Sequence, residues 1–361
     1  MSSYLENTSS IQIELSSKCN HLCPSCIRTD FKTLRHTNPL LEVGQEMPME
    51  TITKVIESQF FKERVLEVEF CGTVDEPFAH TKFLQILKSF VNEKPEIKIS
   101  IHTNGSLQNP EYYQELAQVL VRTSPESVVR FSIDGIGETH SIYRFGGNYE
   151  KVITNLKAFI DKGGRAIWQT VVFPWNENQI EEMEQIAKTL GCVGFFARPD
   201  RTNASKWGEE KIKSLRYNKS TLQSKPSTGD QDYLDGIFNS LTNKTSCVYK
   251  DTRKMFFISW DSRIWPCCFW SNIRYENLIK REALEATLFE KYETNFNSIN
   301  DFEVDQILSH SFLNNDLIDA WRNDKPLKWR CVEKCSLKKV RTSDGEVDDK
   351  KHLKQSYFNK I

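Results

Sequence analysis

Cys19, Cys23 and Cys26 place three thiols on one short stretch, separated by three and then two residues. Thiolate sulfur is a soft ligand, and three thiolates on one loop can each hold one iron of a cubane cluster. Three protein ligands leave the fourth iron open, much as a catalytic metal site keeps one position free. A half-built zinc site is the simpler alternative, but no partner His or Cys follows at a zinc-finger spacing. A second set runs from Cys247 through the adjacent Cys267 and Cys268 to Cys331 and Cys335. Four thiolates from that set suffice for one fully ligated [4Fe–4S] cluster or for a structural zinc. Cys71 and Cys192 are left over and read as small buried apolar residues; Cys71, at a strand end, is also a candidate hydrogen-atom donor.

The elements that must position these residues alternate. Apolar runs at 11–15, 65–70, 97–102, 128–133, 167–173 and 193–197 predict strands. Amphipathic stretches near 48–60, 79–91, 110–121, 148–161 and 177–190 predict helices, with Gly163-Gly164 and Gly191 as stops. Alternation at this spacing implies parallel strands joined by crossover helices, that is, an α/β fold built as a partial (β/α)6 TIM-like barrel. Chemistry in such a fold sits at the carboxyl ends of the strands, where the three-cysteine loop leaves the first one. Residues 1–9 read as a polar tail, 10–199 as the core and 200–245 as a Lys-, Ser-, Thr- and Asn-rich bridge with short helices around 208–216 and 231–241. Residues 246–341 form a second unit, and 342–361 a charged tail expected to be disordered or a solvated helix.

The formal net charge of −1 supplies no field for nucleic acid, and no basic, aromatic-interleaved stripe suggests one. No apolar run approaches the roughly 18 residues needed to span a bilayer. The start, MSSYLENTSS, lacks the features of a signal peptide. Ten cysteines without a secretory signal fit the reduced cytoplasm and metal binding better than disulfides.

The C-x-x-x-C-x-x-C loop after a strand resembles the signature of the radical S-adenosylmethionine (SAM) enzymes. That resemblance implies a [4Fe–4S] cluster on Cys19, Cys23 and Cys26, with SAM chelating the open iron through its amine and carboxylate. Reductive cleavage of SAM would give a 5′-deoxyadenosyl radical that abstracts a substrate hydrogen. Further positions match the family's cofactor contacts. Gly72, Glu76 and Pro77 resemble the Gly-Gly-Glu-Pro stretch whose backbone meets the SAM amino group, though with extra residues between them. Asn104, in Thr103-Asn104-Gly105, stands where the family lines the pocket floor. Ser132 and Arg144 stand where it holds the SAM ribose and carboxylate, and Gln169, mid-strand five, is placed to face ribose or substrate. Ser25 occupies a position often aromatic in the family; its backbone remains within reach of adenine.

The second cysteine set is similar to the auxiliary-cluster extension called SPASM, or its shorter form, twitch: a β-hairpin plus helix. Phe256–Ser259 and Arg263–Trp265 read as the hairpin, with Ser262 where the family usually has Gly. Counting from Ser262 makes Cys267 the expected ligand, with Cys247, Cys331 and Cys335. The resemblance implies a second, auxiliary [4Fe–4S] cluster in electron transfer, and an electron donor such as flavodoxin or ferredoxin. The substrate classes it implies are a peptide or protein side chain, or a small sugar- or cyclitol-like molecule. With the core starting near residue 10, a peptide leader would need a separate partner or residues 200–245. The alternatives are a non-catalytic zinc or iron–sulfur interaction protein, and a radical SAM enzyme with structural zinc in its C-terminal region.

Overall fold

Six strands lie parallel and in chain order: β1 (Ser10–Ile13), β2 (Glu67–Phe70), β3 (Lys98–Thr103), β4 (Val128–Ser132), β5 (Ala166–Val172) and β6 (Gly194–Pro199). The computed structural model describes residues 5–30, 34–200, 208–210, 212–213, 247–276, 278–323, 325, 327, 329–335, 340–342, 345–347 and 354–358. The crossovers carry α1 (Met49–Glu57), α2 (Gln59–Arg64), α3 (Phe83–Glu93), α4 (Pro110–Leu120), α5 (Glu138–Tyr143), α6 (Tyr149–Ile160) and α7 (Ile180–Leu190). This is the expected partial (β/α) barrel. The boundaries follow local chemistry. Asn109 and Asn148 accept from the backbone N–H groups of Tyr112 and Lys151 and so cap α4 and α6. Gly191 ends α7 with a left-handed φ of +89°. The single helix expected over 48–60 is two, because Ser58 is extended and its hydroxyl accepts from Phe61 N to start α2.

Strand register sorts the side chains onto two faces, since residues two apart share a face. On one face Ile11, Ile13, Val68, Phe70, Ile99, Ile101, Val129, Phe131 and Trp168 are buried against the helices. Phe70 meets Phe83 and Phe90 edge-on at 5.3 and 5.7 Å. Truncating Phe70 to Ala would cost about 3–5 kcal/mol, the usual cost of a large core cavity. The opposite, inner face is polar. Gln12 is paired with Glu69, His102 with Arg130, Ser132 with Gln169 and Val171 with Arg198.

Two further pieces join the sheet. The hairpin β7 (Met255–Ser259) and β8 (Arg263–Trp265) adds to the free side of β1, with β7 parallel to β1. Its apolar residues are continuous with the barrel core. Ser262, at the position expected to suit Gly, has φ +63°, and its hydroxyl lies 2.8 Å from that of Thr51 on α1. A side chain in this conformation carries a cost that the contact to Thr51 helps offset. Beyond the hairpin come α8 (Cys268–Glu276), α9 (Leu278–Leu284), α10 (Val304–Ser309), α11 (Leu317–Arg322) and α12 (Trp329–Cys335).

The tail departs from expectation. Residues Val340–Thr342 (β9) and Gly345–Val347 (β10) pair with each other, and Lys354–Tyr357 (β11) adds antiparallel to β6. Phe358 packs on the core. A charged sequence adopts this strand because β6 would otherwise present an open sheet edge. Of the bridge, 208–210 and 212–213 are helical, and the helix expected around 231–241 lies outside the described residues. Among the described residues no helix is long and apolar enough to cross a membrane.

Candidate active site

Each of the three N-terminal thiols meets a residue of a different strand-to-strand crossover. Asn104, just past β3, points its amide nitrogen at Cys19 Sγ, 3.9 Å away. Arg144, at the end of α5 in the β4–β5 crossover, sets its guanidinium 3.9 Å from Cys23 Sγ. Cys26 Sγ lies 3.7 Å from the carbonyl oxygen of Thr73, in the loop after β2. Burial, with the neighbouring cysteines adding to it, raises the Cys19 and Cys26 thiols, Cys26 to about 11. Thiols that resist ionisation by themselves yet crowd together fit a cationic iron centre, which would take up the thiolate charge.

The surrounding polar residues hold this loop in place. Asn104 also donates to Asn20 Oδ1 at 2.8 Å, while its own Oδ1 accepts from Ser106 N. His21 Nε2 lies 2.7 Å from Ser106 Oγ. The loop after β2 is drawn in by Glu14, whose carboxylate accepts from Thr73 N and Val74 N at 2.5 and 2.9 Å. Gly72 lies so close to Asp75 and Glu14 that a Cβ there would overlap both. Burial and the Glu14 charge push Asp75 well above the usual carboxylate range.

The candidate cofactor contacts fall into two groups. Glu76 is occupied by the protein: its carboxylate accepts from Thr103 Oγ1 at 2.5 Å and Asn104 N at 2.7 Å, bracing the β2 and β3 loops against each other. Pro77 is buried at the start of a short 3-10 turn. Asn104 and Arg144 sit close to the thiols as described, Gly72 precedes Thr73, whose carbonyl faces Cys26, and Ser25 belongs to the cysteine loop, its hydroxyl buried without a partner. Ser132 and Gln169 face inward side by side on β4 and β5, and Gln169 Oε1 is buried without a partner.

Several residues here were not singled out as site residues. Asp134 is fully buried and holds Arg144. Tyr143, Phe173 and Trp175 form an aromatic patch packed with Cys23 and Cys26, with Phe173 and Trp175 stacked at 4.7 Å. The only prior sign was their position at the end of α5 and just after β5.

Toward the C-terminus, a small cavity is lined by Cys247, Cys267, Cys331 and Cys335, together with Trp270, Trp321 and Arg330. Burial, with the neighbouring cysteines adding to it, lifts Cys247 to about 11 and Cys331 to about 12. Cys268 turns elsewhere: its sulfur is 3.0 Å from the hydroxyl of Tyr249, which donates to Gln12 Oε1. Four thiols lining one cavity could serve as the donor set of a thiolate-bound metal centre.

Residues 13–187 match the family described as the Radical SAM superfamily. They form a radical SAM domain. The chain is accordingly an enzyme, and its chemistry is SAM-dependent radical chemistry. No curated protein sequence matches this chain. Among solved structures it is similar to SuiB of Streptococcus suis bound to the precursor peptide SuiA, at 15% identity and TM-score 0.50, covering 80% of this chain and 67% of that one. It is also similar to anSMEcpe with bound AdoMet, at 16% identity and TM-score 0.50, covering 84% and 78%. At these identities the likeness is one of fold.

Proposed function

We propose that this radical SAM enzyme is an oxidoreductase acting on a peptide or protein side chain, with a second [4Fe–4S] cluster in its C-terminal region. The observation that carries the reading is the cavity lined by Cys247, Cys267, Cys331 and Cys335 beside a barrel whose mouth carries three further thiols. Residues 10–199 are the catalytic barrel in this reading, and 246–341 the auxiliary domain.

Cys19, Cys23 and Cys26 would hold the first cluster. When bound, that cluster would supply one-electron reduction of SAM, with the electron coming from a flavodoxin- or ferredoxin-like donor. The chain's own residues position and shield. Arg144, fixed by Asp134, directs a guanidinium to the edge of the site, where it suits a carboxylate. Asn104 and Glu76 hold the loops of β2 and β3 against the cysteine loop. Tyr143, Phe173 and Trp175 exclude water beside Cys23 and Cys26. The second set of thiols would hold a fully ligated cluster able to accept an electron, which permits a net two-electron oxidation of substrate. A peptide substrate is supported by the fold shared with SuiB, which binds its precursor peptide.

Anaerobic reconstitution followed by reduction with dithionite in the presence of SAM tests the reading. Two cubanes correspond to about eight irons per chain. Release of 5′-deoxyadenosine with that iron content supports it. About four irons with one bound zinc would reassign the C-terminal cavity to a structural metal.

A further inference from the structure

A carboxylate, a thiol and an imidazole meet on the inner face of the sheet, and neither set of thiols described above uses them. Glu69 and Cys71 are two residues apart at the end of β2 and so share that face. His102 follows Ile101, the register partner of Phe70, which separates the other two. The ligand atoms of Glu69, Cys71 and His102 accordingly lie within 4.8 Å of one another. Donors bound tetrahedrally to one zinc at about 2.0–2.3 Å stand about 3.3–3.7 Å apart, so small side-chain rotations suffice to close this group on an ion. Hydrogen bonding does not account for the grouping, because Glu69 Oε1 and His102 Nε2 are 4.0 Å apart.

The state and the surroundings of the donors suit a metal ion. Glu69 is ionised, as its ion pair with Arg253 requires, and burial keeps His102 neutral, its pKa lowered to about 4. Ligation needs a carboxylate and a neutral imidazole, so only the Cys71 proton has to leave. Arg253 takes Glu69 Oε2 and leaves Oε1 on the side of His102. Its guanidinium is braced over the ring of Tyr249 at 5.4 Å. The Tyr249 hydroxyl donates to Gln12 Oε1 at 2.5 Å, and Gln12 Nε2 donates to the carbonyl oxygen of Cys71. These contacts orient the carboxylate and hold the cysteine backbone from outside, as the outer partners of metal ligands do. The ion pair with Arg253 explains why Glu69 is there, but not why a thiol and an imidazole stand at its other oxygen. Arg130 and Arg198 also act on His102, and each has a partner of its own.

We propose that Glu69, Cys71 and His102 form a third metal site, inside the barrel, for a divalent transition ion with the ligand preferences of zinc. Mixed sulfur, nitrogen and oxygen donors select such an ion over magnesium or calcium. Three protein ligands leave the fourth tetrahedral position open, the arrangement of catalytic zinc sites, not of closed structural ones.

The test is zinc uptake by the reconstituted holoenzyme, dialysed anaerobically against zinc chloride. About one zinc per chain is expected at this site, with iron content unchanged. Its X-ray absorption at the zinc K-edge should show one sulfur at about 2.3 Å, with nitrogen and oxygen at about 2.0–2.1 Å. Cys71→Ala and His102→Ala should each weaken zinc binding at least about tenfold while keeping the full iron content. The absorption measurement on the wild-type enzyme stands even if a variant fails to fold. Absence of zinc uptake, a shell of four sulfurs or of none, or uptake undiminished in both variants overturns the proposal. A zinc held by the C-terminal thiols carries four sulfurs and survives Cys71→Ala, so failure of the auxiliary-cluster reading is told apart from failure of this one.

Discussion

Arg144 Nε donates to Asp134 Oδ2 at 2.6 Å, and the carboxylate that receives it has no exposed surface. The other Asp134 oxygen accepts from Val171 N at 2.6 Å. One buried carboxylate thus ties the end of α5 to β5 and aims the guanidinium toward Cys23. Breaking such a buried pair from one side leaves a desolvated charge, which costs about 3–5 kcal/mol. Asp134→Asn should lower unfolding stability by that order in anaerobic urea titrations, and SAM affinity by about tenfold or more in equilibrium dialysis. Unchanged SAM affinity would show that Arg144 does not act on the cofactor.

The three mouth thiols act as a set. Replacing Cys19, Cys23 or Cys26 with Ala should remove about four irons per chain, one cubane, and leave about four in the C-terminal region. Release of 5′-deoxyadenosine should fall below detection in each variant. A variant that keeps its full iron content would remove that thiol from the ligand set.

Cys267 and Cys268 should behave differently although they are adjacent. Cys267 lines the C-terminal cavity, and Cys268 shares a hydrogen bond with Tyr249. Cys267→Ala is expected to lose about four irons and Cys268→Ala none. The reverse outcome would exchange their roles.

Glu76 sets a pH dependence. Burial raises its pKa from 4.5 to about 7, against the lowering effect of its bonds from Thr103 and Asn104. Because the folded value lies above the unfolded one, its contribution to stability is fully present below 4.5 and is lost as pH climbs through 7. The wild-type chain should therefore lose on the order of 3 kcal/mol between pH 4.5 and 8 that Glu76→Gln does not lose. Parallel urea curves for the two proteins at each pH would reject this.

Much of this was legible in the residues. The alternation of Ile11 to Leu15 and its counterparts gave the six strands to within about three residues, since each inner or outer position is decided by a period of two. The cysteine spacing could be read because its ligands lie on one loop. The split of α1 from α2 at Ser58 was missed, as the apolar period continues straight through it and only the capping hydroxyl interrupts the helix. The tail strand was missed because Lys354–Tyr357 has little apolar signal, and an open edge of β6 supplies its partner.

The sequence by itself determined which elements form, their order, and the one loop where three sulfurs gather. Those properties depend on neighbours in the chain. Tertiary structure decided that the hairpin lies beside β1, that Arg144 is held by Asp134, and that Cys267 and Cys268 face different surroundings. It also gathered Arg130, Arg198 and Arg253 around His102 from three distant segments. Such pairings depend on register and side-chain direction between segments far apart in sequence, and a short stretch of residues carries no record of them.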